Sequence, residues 1–173
     1  MFCAANCVPL LVQQNVDGSD FFNRPWKEFK VGFNDSRGNF WLGNDLLHQL
    51  TTSRRYRLRF DLQARDNGSW YYAEYSSFVV SSESLRYTIT VSGYSGNAGD
   101  AFSYHDGNKF STYDRDYDQL LGSCAGSRYG GFWYSKCALA NVNTARGRAD
   151  DFSWNGGATA SLTLQSSRMW LMC

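Results

Sequence analysis

The chain has little of what acid–base and hydrolytic chemistry needs. Only two histidines, His48 and His105, occur in 173 residues. No Gly-x-Ser-x-Gly, His-Glu-x-x-His or phosphate-cradling glycine loop is present. His48 falls in a predicted helix, and His105 sits in Tyr-His-Asp-Gly, a turn rather than a base, so an enzyme is not expected. Charge of one sign is also missing. The 17 basic residues face 16 acidic ones, which removes any general pull toward nucleic acid or a membrane surface. No apolar run approaches the roughly 20 residues of a membrane helix. The N-terminal run Met-Phe-Cys-Ala-Ala-Asn-Cys lacks a basic segment and a long apolar core, so it does not read as a signal peptide. Proline is limited to Pro9 and Pro25, with no internal repeat and no low-complexity linker.

What is present is aromatic. Phe, Trp and Tyr make up 17% of a chain long enough for one domain with a real core. Asn23 and Pro25 open a predicted helix that Gly32 ends, with Asn23 as its cap. Asn44 caps a second, Asn44 to Leu50, with Leu46, Leu47 and Leu50 on one face. Tyr56, Leu58, Phe60 and Leu62 alternate with polar residues at the period of a half-buried strand. Asn67-Gly68 signals a hairpin into a strand from Trp70 to Val80, and Tyr87 to Val91 forms a third. These elements predict an α+β fold, a central antiparallel sheet with short helices. Periodicity fades after Tyr94, and long irregular segments inside a domain are usually functional or held by metal and disulfide.

Asp114, Asp116 and Asp118 recur at every second position just ahead of Cys124. Carboxylates so close repel unless solvent or a cation neutralises them, and hard oxygen donors suit Ca²⁺. An EF-hand is excluded, because its sixth position would be Gln119 and its twelfth Ala125. The alternatives are another oxygen cage or a solvated acidic turn. Five cysteines leave one odd. Cys124 and Cys137 bracket a compact loop and form the expected pair, against the alternative of two buried thiols, while Cys3, Cys7 and Cys173 stay ambiguous. Tyr129, Phe132, Trp133, Tyr134 and Trp154 could line a sugar or acetyl pocket; for Trp133 and Trp154 the competing reading is plain core. Sequons at Asn34 and Asn67 are compatible with secretion.

Several runs occur together and in order: Val16 to Phe33 with Asp-Gly-Ser-Asp-Phe-Phe-Asn-Arg-Pro-Trp, Gly38 to Asp45, Gly93 to Asp100, Phe110 to Asp116, Cys124 to Cys137, and Asn141-Val-Asn143. Over residues 13 to 170 the chain resembles the fibrinogen-like C-terminal domain of ficolins, tachylectins, tenascins and angiopoietins. The resemblance implies an extracellular, secreted recognition module with an irregular calcium-bearing C-terminal subdomain. It implies Ca²⁺ held by the side chains of Asp116 and Asp118 and the carbonyls of Leu120 and Gly122, with Asp114 a neighbour. It implies a cis peptide at Lys136–Cys137, and a ligand site shaped by Tyr129, Phe132, Trp133, Ala138 and Trp154. The expected ligand is a glycan or acetylated group in innate immunity, or alternatively a protein receptor or peptide on the same face; homo-oligomer formation is left open. Lectin members often carry His where Ala138 stands, and the short 144–153 segment bears Arg146, Arg148, Asp150 and Asp151 where acetyl-binding relatives supply aromatics. Residues 1–12 read as an atypical N-terminal segment and 13–173 as the domain, with its N-terminal subdomain largely missing.

Overall fold

In the computed structural model, the described residues are 8–148, 152–157 and 161–173. Strands β4 (Arg57–Ala64) and β5 (Trp70–Val80) form the hairpin that the alternation predicts. Leu58, Phe60 and Leu62 are fully buried, while Arg57, Arg59 and Asp61 face outward. At the turn the Ser69 N–H donates to Asn67 Oδ1 at 2.8 Å, and Gly68 takes φ +70°, a conformation glycine reaches without a Cβ penalty. Both sequon asparagines are exposed.

The antiparallel sheet runs β2 (Phe33–Asn34), β3 (Phe40–Trp41), β1 (Leu10–Asn15), β9 (Leu162–Met172), β4, β5, β6 (Ile89–Gly96), and off this path β7 (Ala140–Asn141) pairs with β8 (Ser153–Trp154), which also pairs with β9. Its centre is therefore a strand from the end of the chain, inserted between β1 and β4. Neither β1 nor β9 is visible in the periodicity. β9 carries a register shift opposite Gln63/Ala64 and turns Ser167 inward; β1 buries Gln13 and Asn15. Those polar groups form a seam. Gln13 Nε2 donates to Val142 O, Asn143 Oδ1 and Ser167 Oγ at 3.0–3.1 Å, and Asn15 Nδ2 donates to Val142 O at 3.1 Å. The seam ties the irregular C-terminal third to the sheet. β1 itself begins at Leu10.

Helices α1 (Trp26–Val31) and α2 (Asn44–Ser53) form where expected, but with other caps. Pro25 occupies the N-cap position of α1, and the free Trp26 N–H donates to Asp114 Oδ1 at 2.9 Å from 88 residues away. Gly43 precedes α2, and Asn44 instead accepts from Trp41 Nε1 at 3.2 Å. Leu47 and Thr51 face the core with Leu50 beside them; Leu46 lies off that face and is exposed. The third predicted strand starts two residues later, because Arg86 and Tyr87 both take positive φ. Among the described residues no helix is long and apolar enough to cross a membrane.

Candidate functional site

The acidic segment starts as a zipped loop. Ser111 and Phe132 exchange backbone hydrogen bonds at 2.9 and 3.1 Å, and Ser111 Oγ accepts the Tyr117 N–H at 2.9 Å. From that base the three aspartates take different partners. Asp114 Oδ1 accepts from the Trp26 N–H and from Thr112 Oγ1 at 2.7 Å, so it caps α1. Asp116 Oδ1 accepts the Asp118 N–H at 3.2 Å. Asp118 accepts the Leu120 N–H on Oδ1 at 2.9 Å and the Cys124 N–H on Oδ2 at 2.8 Å. Burial raises the Asp118 carboxyl above the usual carboxylate range, against those two N–H bonds; the adjacent Asp116 carboxyl raises it further. Two repelling carboxylates thus share one loop with the Leu120 and Gly122 carbonyls, which accept no hydrogen bond among the described residues. This all-oxygen set fits a hard cation such as Ca²⁺. Among the described residues no three His, Cys, Asp or Glu side chains converge on one point, so backbone oxygens would have to complete such a site.

Downstream, Cys124 and Cys137 form the expected disulfide with Cα atoms 5.3 Å apart. Cys173 is also disulfide-bonded, while Cys3 and Cys7 lie outside the described residues. Between Cys124 and Cys137, helix α3 (Cys124–Arg128) is capped by Ser123, whose Oγ accepts the Gly126 N–H at 3.0 Å. Tyr129 ends it at φ +58°. Gly130 and Gly131 follow because the chain passes close to its neighbours: a Cβ would meet Asn143 O at 1.7 Å and the Phe29 ring at 2.6 Å. At the second cysteine the expected cis peptide is not found; no cis bond occurs among the described residues. The chain reverses instead through φ +64° at Cys137, closed by the Ser135 N–H to Cys137 O bond at 3.0 Å.

The expected ligand-site residues do not gather around one opening. Phe132, Trp133 and Trp154 have no exposed surface. Trp133 packs against Phe110 with ring centroids 5.2 Å apart, whereas Trp154 lies against Phe60 at 4.9 Å and donates to Gly99 O. Such side chains shape a surface only from beneath. Tyr129 and Ala138 are half-buried and remain reachable, with the Arg148 guanidinium 3.9 Å over the Tyr129 ring. Asp150 and Asp151 lie outside the described residues. One concavity borders the acidic loop, a polar cleft of about 210 Å³ lined by Asn108, Lys109, Tyr117 and Gln119.

A residue that the sequence offered only as a turn proves central. His105 is fully buried; its Nδ1 donates to Trp133 O at 2.8 Å and its Nε2 accepts the Ala140 N–H at 3.1 Å. The acceptor role of Nε2 places the proton on Nδ1. Both nitrogens are committed to backbone, so the ring pins the two segments flanking the disulfide loop rather than moving protons. The only sequence signal is its placement in an aromatic stretch after Phe102. Burial lowers its pKa from 6.5 to about 4 despite the Trp133 bond. Between those values the unfolded chain binds the proton and the folded one does not. Stability is therefore whole above pH 6.5 and is lost as pH falls from there toward about 4. We expect His105→Asn to flatten the slope of unfolding free energy against pH in this window by close to one proton; an unchanged slope would contradict the assignment.

A family model described as the C-terminal globular domain of fibrinogen beta and gamma chains matches residues 3–170. Techylectin-5A of Tachypleus tridentatus is 42% identical over 125 residues, covering 72% of this chain and 42% of the relative. The chain thus spans less than half the length of that relative. The fibrinogen-like globe domain of human ANGPTL2 superposes with a TM-score of 0.86 at 34% identity, covering 94% of this chain and 79% of that one. A lamprey fibrin D-dimer complexed with the peptide Gly-His-Arg-Pro-amide gives 0.81 at 31% identity, covering 93% and 60%.

Proposed function

Because this chain belongs to the family of fibrinogen C-terminal globular domains, we propose that it is a secreted, non-enzymatic recognition module for glycans or acetylated groups, acting in innate immune recognition. The observation that carries this reading is one continuous stretch, in which an oxygen-rich loop at Asp116 to Gly122 runs directly into a disulfide-closed loop presenting Tyr129 and Ala138. Asp116, Asp118 and the carbonyls of Leu120 and Gly122 would hold Ca²⁺. The ion would supply positive charge that fixes this loop. The chain's own residues do the recognising. Tyr129 offers an aromatic face to the apolar side of a sugar or acetyl group, and His105 with the disulfide keeps that face in place. A techylectin is a lectin by name, and it is among the relatives. Immobilised acetylated and glycan ligands, probed with and without chelator, should retain the protein only when calcium is present. Absence of binding under both conditions would overturn the reading.

A second reading is favoured by the burial of Phe132, Trp133 and Trp154, which leaves Lys136 and Arg148 as prominent exposed groups on this segment. On it this face binds a protein or peptide; the lamprey relative is itself complexed with a peptide ligand. Capture of a protein partner undisturbed by free sugar or acetate would select it.

A further inference from the structure

The densest cationic run in a chain of net charge +1 lies far in sequence from the acidic loop: Arg54, Arg55, Arg57 and Arg59 occupy four of six positions where α2 gives way to β4. Their partners divide them into two pairs. Arg57 is tied to Glu74, and Arg59 to Asp61 at 2.9 Å and Glu74 at 3.7 Å, so their charge is spent on the outer face of the sheet. Arg54 and Arg55 border a cleft of about 430 Å³ between this turn and β5. The Arg54 guanidinium is held 4.7 Å over the Tyr56 ring and donates to Cys173 Sγ at 3.1 Å. Arg55 is exposed, with no ion pair among the described residues. Ser76 and Ser77 add hydroxyls, Val79 adds exposed apolar surface, and no carboxylate lines the cleft.

We propose that this cleft binds a sulfate ester carried on an acidic glycan chain. Guanidinium forks match tetrahedral oxyanions in geometry and charge, and serine hydroxyls complete the hydrogen bonding. The volume lies in the range of small-ligand sites and far exceeds a single oxyanion. Exposed apolar surface from Val79 accommodates the face of the attached sugar ring. Disulfides belong to oxidising compartments, where the abundant polyanions are sulfated glycans rather than polynucleotides. The site shares no residue with the calcium loop and does not depend on it.

The test is binding of a heparin hexasaccharide at physiological salt, compared with unsulfated heparosan, a single-stranded oligonucleotide of equal charge, and inorganic sulfate. The wild type should bind heparin, ignore heparosan, and keep its affinity in chelator. Arg54→Ser with Arg55→Ser should weaken binding by about tenfold or more, whereas Arg65→Ser, an equal charge change at an exposed position, should not. Should the double variant fold poorly, Arg55→Ser alone carries the comparison. Four results would each overturn the proposal: no heparin binding, equal losses in the Arg55 and Arg65 variants, an oligonucleotide bound as tightly, or inorganic sulfate bound as tightly as the hexasaccharide.

Discussion

Replacing Trp133 by alanine is expected to lower the unfolding free energy by about 3–5 kcal/mol. The side chain has no exposed surface and sits among Trp41, Phe78, Phe110 and Phe132 with ring centroids 5.2–6.1 Å apart. Alanine forfeits the transfer free energy and leaves a void that rigid rings on every side cannot collapse to fill. It also removes the Nε1–H that Tyr87 O accepts at 2.7 Å, stranding a buried carbonyl. Against a total stability of about 5–15 kcal/mol, the loss brings the domain close to unfolding. Trp133→Phe should fall between, since it restores most of the ring but not the donor. Urea unfolding measures both, and a loss below about 1 kcal/mol for alanine would mean the aromatic cluster is not the core.

Removing the disulfide by Cys124→Ser with Cys137→Ser should cost on the order of 3 kcal/mol, the chain-entropy value for a loop of this length. The sequence separation is 13, and the closed loop contains α3, Tyr129 and the two close-packed glycines. The consequence should be local as well as global. Cys124 donates its N–H to Asp118 and Cys137 accepts from Ser135, so opening the bridge frees both ends of the recognition segment. Limited trypsin digestion at the exposed Lys136 should accelerate well beyond the change at Lys27, which lies on α1. Equal cleavage rates in the variant and the parent protein would contradict this picture.

Legibility in the sequence followed from how each element is packed. The β4–β5 hairpin reads cleanly because one face is apolar and the other charged, so alternation survives in the letters. β1 and β9, at the centre of the sheet, are hidden because Gln13, Asn15 and Ser167 point inward to a polar seam and register shifts break the period. The acidic loop stood out in the sequence by its spacing, but the task of Asp114 as a cap did not, because it needs α1 brought to it by the fold. Aromatic content was plain in the composition. Which rings face solvent was not, because Trp133 and Trp154 carry the same letter whether they line a pocket or fill the core. His105 escaped for a related reason, since its partners are backbone groups 28 and 35 residues away.

We propose a division of labour along Asp114, Asp116 and Asp118, in which the last two would hold calcium while Asp114 caps a helix. Thermal unfolding with calcium added or chelated tests it most directly, across the parent protein and the alanine variants at 114 and 118. Calcium at about a hundredfold excess over its dissociation constant should stabilise the parent by about 2.7 kcal/mol. Asp114→Ala should lose about 1 kcal/mol of baseline stability, as for a removed helix cap, while keeping the calcium response. Asp118→Ala should abolish that response. A parent protein indifferent to calcium, or an Asp118→Ala variant that still responds while Asp114→Ala does not, would contradict the claim.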